Sequence, residues 1–85
     1  MYHVYVLHSS LYDKIYIGYS SDAGVRFIYH NQGPDKGWTR RYRPWCLIWM
    51  ELCLSKKVAM TREKQLKSAR GRKWIREEII RNCWR

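Results

Sequence analysis

Tyrosines, one arginine, one histidine and one glutamate carry the chemistry that this chain of 85 residues offers. Tyr5 lies in Val4-Tyr5-Val6-Leu7, and Tyr16 and Tyr19 lie in Ile15-Tyr16-Ile17-Gly18-Tyr19. Arg26 and His30 follow at i and i+4, which sets the two side chains next to each other on a helix. A guanidinium fork matches phosphate oxygens and stabilises charge that grows on them. An imidazole beside it can hand a proton to a leaving group or hydrogen-bond the same phosphate. Glu63 stands in an otherwise basic segment. It is a hard oxygen ligand of the kind Mg²⁺ takes, one or two carboxylates being completed by water and phosphate. Each residue also has a plainer reading. Tyrosine is a common strand residue, Arg26 and His30 are of types that usually face solvent, and Glu63 can pair with Lys67 one turn on. A phenol also needs a nearby cation before it is a base at neutral pH, because its pKa is ~10.

Charge points the same way. Seventeen Lys and Arg stand against seven Asp and Glu, a formal net charge of +10. Such an excess attracts polyanions, nucleic acid first and an acidic membrane surface second. The charge is uneven: residues 55–85 hold 11 of the 17 basic side chains, and Lys36, Arg40, Arg41 and Arg43 form a second cluster. The 13 aromatic residues exclude a disordered basic tail. They supply the core that one small domain over 1–85 needs, each buried ring removing roughly 150–250 Å² from water. Cys46, Cys53 and Cys83 are odd in number and lack paired or zinc-ligand spacing, so reduced and mostly buried thiols are expected. With no leader and no long apolar run, the reading is a cytoplasmic protein with no membrane partner.

These residues need elements to position them. Residues 2–8 and 15–19 read as two strands of an antiparallel hairpin. Gly18 late in the second permits a bulge or a close backbone approach. Ser20-Ser21-Asp22 offers N-caps for a helix over about 22–32. Val25, Ile28, Tyr29 and Gln32 fall on one face of it, and Arg26 and His30 on the neighbouring one. Gly33-Pro34-Asp35-Lys36-Gly37 opens a loop. Residues 38–44 read as an exposed basic and aromatic loop whose Trp38 and Tyr42, with Trp45 after it, either stack on bases or pack. Residues 45–53 read as a third strand. A helix from Ser55 to about Ser68 presents Ala59, Glu63 and Leu66 together. A last helix over 70–82 has Trp74, Ile75, Ile79 and Ile80 as its apolar positions. The order is β-β-α-β-α-α, an α+β domain. Arg40, Arg41, Arg43, Lys64 and Lys67 are its candidate phosphate contacts.

Order and spacing over five segments resemble the GIY-YIG nuclease domain. Val4-Tyr5-Val6 stands in the GIY place and Tyr16-Ile17-Gly18-Tyr19-Ser20 in the YIG place, followed by Arg26 and His30-Asn31. The loop before Arg43-Pro44-Trp45 and the stretch Arg62-Glu63-Lys64-Gln65-Leu66-Lys67 complete the match. The chain looks most similar to small stand-alone members, akin to the catalytic domain of the excision-repair endonuclease C subunit. The resemblance implies a three-stranded antiparallel sheet flanked by helices. It also implies a DNA endonuclease, structure-selective and linked to repair or recombination, with RNA left open as a substrate. One divalent ion, Mg²⁺ or Mn²⁺, would be held by Glu63. Tyr5 or Tyr16 would assist the attacking water, Arg26 would clamp the phosphate, and His30 would move a proton or bind phosphate. A protein partner would supply targeting. The chain departs from the pattern in its Val-Tyr-Val motif, in Gly24 within the first helix, and in Ile75, which stands where many family members have an Asn.

Overall fold

A computed structural model describes residues 1–33 and 37–81. Strands β1 (Tyr2–Ser9), β2 (Lys14–Ser20) and β3 (Cys46–Cys53) form one antiparallel sheet in the order β2-β1-β3. The middle strand is covered on both faces, and Val4 through Ser9 are all buried. Alternation along β1 sorts its side chains onto two faces. Val4 and Val6 point into one core with Ile15, Ile17 and Cys53; Tyr5 and Leu7 point into the other with Ala23 and Trp45. In register, Tyr5 faces Gly18 on one side and Met50 on the other. The β1–β3 register slips between Val6 and Leu7, which pair with Trp49 and Leu47. Ile48 is thus the extra residue of a bulge.

The helices divide between the two faces. Helix α1 (Ala23–Gln32) starts at Asp22, whose carboxylate accepts from the Val25 N–H at 3.1 Å, and lies with Tyr5 and Leu7. Its inward stripe is Ala23, Phe27 and His30, at i, i+4 and i+7. Val25 and Ile28, which periodicity alone groups on one apolar face, stay 59% and 56% exposed. The aromatic surface of Tyr5, Tyr16 and Trp45 takes Phe27 and a partnered histidine instead. Helix α3 (Lys56–Lys67) is capped by Ser55, whose hydroxyl accepts from Val58 N–H at 3.2 Å. It buries Ala59 and Leu66 against Val4, Val6 and Ile17 on the opposite face.

Two segments differ from expectation. Residues 38–44 are not a free loop: Trp38–Arg41 is a short helix, α2, and Thr39 is buried. Trp45 is only 2% exposed, and its indole N–H donates to the Thr39 carbonyl at 2.7 Å. Burying an indole requires a partner for that donor, and closing the segment over Trp45 provides it. The last expected helix begins as α4 (Ala69–Trp74) and continues as a π-helical stretch, Ile75–Ile80. Ile75 and Ile79, one turn apart, are both buried in the core. Of the described cysteines, Cys53 is buried as expected, whereas Cys46 is exposed at the start of the edge strand β3. Cys83, Lys36 and the rest of 34–36 and 82–85 lie outside the described residues. No helix among the described residues is long and apolar enough to cross a membrane.

Candidate active site

Four of the sequence-derived site residues meet on the α1 face of the sheet. The Tyr5 hydroxyl lies 3.2 Å from Nε2 of His30, within hydrogen-bond distance, and both side chains are buried. The Tyr16 ring stands 4.4 Å from the His30 ring and is stacked on Tyr5 at 6.2 Å. Arg26 lies exposed over the Tyr29 ring at 5.0 Å, close enough for its charge to act on the same phenol. The i, i+4 spacing on α1 therefore brings one cation and one imidazole to a single phenol. Tyr19 departs from them, packing against the Val4–Ile17 core.

Gly18 makes this cluster possible. A Cβ there would lie 2.7 Å from the Tyr5 hydroxyl and 3.0 Å from the Tyr16 ring. The phenol thus crosses β2 over bare backbone, the close approach that a glycine in a strand permits. Burial, and then the neighbouring Tyr16, push the Tyr5 phenol up to about 12, against the opposing charge of Arg26. At neutral pH Tyr5 is therefore a protonated donor.

The floor of the site is locked by residues that spacing did not single out as positioning groups. Asn31 clamps the backbone of Trp45: its amide donates to the Trp45 carbonyl at 3.0 Å, and its oxygen accepts from the Trp45 N–H at 2.6 Å. The Arg43 guanidinium donates to the carbonyls of His30 at 2.6 Å, Gly33 at 2.7 Å and Tyr29 at 3.3 Å. These are carbonyls at the C-terminal end of α1, where intrahelical partners run out. Arg43, expected at a phosphate, is thus committed to holding the helix that carries His30. The only sequence signal for this was the run His30-Asn31 followed by Arg43-Pro44-Trp45.

Glu63 lies elsewhere. It is on the sheet-facing side of α3, its side chain only 16% exposed, and Lys67 donates to Oε1 at 2.7 Å. Its helix packs on the sheet face opposite the one into which Tyr5 points. The ion pair is the simpler of the two arrangements that its spacing allowed. No group of three or more His, Cys, Asp or Glu side chains among the described residues could enclose a metal. An ion here would rest on one carboxylate and complete its shell with water and phosphate oxygens, a donor set that suits Mg²⁺. Glu63 fits that role once Lys67 turns away. Arg40, Arg41 and Lys64 are exposed, as phosphate contacts must be. Ile75, in the place of the family Asn, is completely buried.

Comparison with known proteins places the chain in a family. The GIY-YIG catalytic domain matches residues 1–76. A "UPF0213 protein" of Staphylococcus haemolyticus is 34% identical over 56 residues, covering 66% of this chain and 68% of that protein. One from Staphylococcus epidermidis is 35% identical over 55 residues, 65% of this chain and 67% of its own length. One from Staphylococcus aureus is 32% identical over 63 residues, 74% of this chain and 77% of its own. No solved structure matches. The GIY-YIG catalytic domain is typical of endonucleases, which generally use divalent metal ions. With nearly the whole described chain matched and both tyrosine motifs meeting at one histidine, this protein belongs to the GIY-YIG family.

Proposed function

We propose that this chain is a divalent-metal-dependent endonuclease that hydrolyses phosphodiester bonds in DNA. The observation that carries the reading is the convergence of Tyr5, Tyr16, Arg26 and His30 on one sheet face, with Gly18 leaving room for the Tyr5 phenol. Arg26, exposed at the rim, clamps the scissile phosphate and offsets the charge that develops on it. Tyr5 stays protonated and donates, while Tyr16, half-buried beside His30, orients the attacking water. His30, whose Nε2 faces the Tyr5 hydroxyl, takes or returns a proton by way of that phenol, which passes its own proton on in the same step. Helices α1 and α3 both meet the edge strand β2, so a divalent ion held by Glu63 would supply Lewis acidity at a phosphate oxygen of a strand crossing that edge. Lys67 and Lys64 flank that carboxylate, so departure of Lys67 toward a DNA phosphate both frees Glu63 and holds the substrate. Arg40 and Arg41 extend the phosphate track. Action in the cytoplasm, in repair or recombination, with a protein partner for targeting, completes the proposal.

Replacing Glu63 by Ala is the test. Cleavage is expected to vanish while DNA affinity, read by fluorescence anisotropy, stays within about threefold, since one carboxylate is removed and no phosphate contact is lost. A variant that cuts as fast as the parent would remove Glu63 from the metal site. The Lys67–Glu63 pair favours one alternative: a nucleic-acid-binding module with the same fold and little catalysis. That reading predicts salt-sensitive binding without turnover in either Mg²⁺ or Mn²⁺.

A further inference from the structure

Trp38 has the opposite environment to the other tryptophan of its cluster. Trp45 is buried, whereas Trp38 is 46% exposed. Yet its ring is not free to wander. It packs edge-on to Tyr42 at 5.0 Å and tilted against Trp45 at 5.5 Å, and it stands 6.5 Å from the Tyr16 ring. Helix α2 places Arg40 and Arg41 next to it, both exposed, and the three side chains line one concavity with Gly37. A large apolar ring held by its neighbours and left open toward solvent gives up hydration without first having to be ordered. Two guanidinium groups at its rim favour an anion, and the ring beside the catalytic tyrosine sets where that anion must run.

We infer that Trp38 is a stacking subsite for an unpaired nucleobase adjoining the scissile phosphate, with Arg40 and Arg41 on the phosphates that flank it. Binding of single strands combines these two elements, a cationic track and an aromatic face. Within a duplex each base already stacks on its neighbours, so a flat ring at the protein surface gains little from paired DNA. The substrate class that suits this surface is therefore DNA with unpaired nucleotides beside the cut: a single strand, a flap or a frayed end. The assignment rests on the nuclease reading only for its position next to the cut, and the base-stacking itself is read without catalysis.

The experiment measures binding in EDTA of a fluorescein-labelled single strand and of its duplex of equal length. Trp38→Leu keeps an apolar filler against Tyr42 and Trp45 but removes the π face, and Trp38→Phe keeps both. Trp38→Leu is expected to weaken single-strand affinity about tenfold while duplex affinity stays within about twofold, and Trp38→Phe to stay near the parent. A 2-aminopurine in the strand should lose emission on the parent protein and keep it on Trp38→Leu. Near-ultraviolet circular dichroism checks that each variant is folded. Unchanged single-strand binding, or equal losses on both DNA forms, would overturn the assignment. If no DNA is cut under any condition but the single-strand effect is present, the nuclease reading fails and the stacking subsite stands.

Discussion

At the residue scale the site is built around a phenol that cannot easily ionise. Tyr5 holds its proton up to about 12 because it is buried beside Tyr16, even with Arg26 opposing. The unfolded phenol titrates near 10.0, so folding tightens the hold on that proton. The resulting stabilisation is whole below pH 10.0 and is lost as pH rises toward about 12. Urea midpoints followed from pH 8 upward should fall across that window for the parent and fall less for Tyr5→Phe. Gly18 carries the second expectation. A methyl at Gly18 collides with the Tyr5 hydroxyl and the Tyr16 ring. Gly18→Ala should therefore lower the cleavage rate about 10²-fold by misplacing both groups, with the loss read in steady-state nicking of a protein that still melts cooperatively. Unchanged nicking would mean that the phenol position does not matter. That Arg26 and His30 lie side by side near the motif tyrosines was legible because motif spacing and the i, i+4 rule are local. Which phenol is the buried one was not, because burial of Tyr5 depends on β1 being the middle strand. Whether Glu63 is paired or coordinating was left open by spacing, and Lys67 takes it in this structure.

At the scale of elements, the short stretch between α1 and β3 does more than connect them. Arg43 spans three carbonyls at the end of α1, and Asn31 returns two hydrogen bonds to Trp45. Together they fix the helix that bears His30 relative to the segment that bears Trp38. Arg43→Ala should cost about 2 kcal/mol of stability, the usual size for hydrogen bonds to a charged group. Arg43→Lys should recover little of it, since one ammonium cannot reproduce the guanidinium fork; urea denaturation of both variants reads the difference. Strands, caps and helix starts were readable: Asp22 and Ser55 cap the helices as their types suggest. The inward face of α1 was not, because Val25 and Ile28 outscore His30 on any hydropathy scale. What decides the face is an aromatic surface assembled from β1, β2 and Trp45, which no local pattern contains. Residues 38–44 misled for a similar reason: their charge suggests a loop, while the need to satisfy the buried Trp45 indole closes them into a turn of helix.

At the scale of the whole molecule, a net charge of +10 surrounds a sheet that carries little of it. That arrangement suits a protein whose affinity for a polyanion comes from its rim. Binding to DNA should weaken steeply with salt, and replacing both Arg40 and Arg41 by Gln should reduce the slope of log K against log salt by about 2. A flat salt dependence in the parent would argue against phosphate tracking. The overall α+β order was visible in the sequence because alternation, caps and turn residues agree with one another; the break of the last helix into α4 and a π-helical stretch was not, because no local pattern over residues 69–80 marks it. In the proposed function these parts cut DNA with one ion at Glu63. The most direct test is incubation of supercoiled plasmid and single-stranded DNA with the purified protein in Mg²⁺ and in Mn²⁺, beside EDTA and Glu63→Ala controls. Nicking is expected to need metal, to stop in EDTA and to be absent from the variant. DNA left uncut in both metals despite firm, salt-sensitive binding would contradict it and leave a binding module on a nuclease fold.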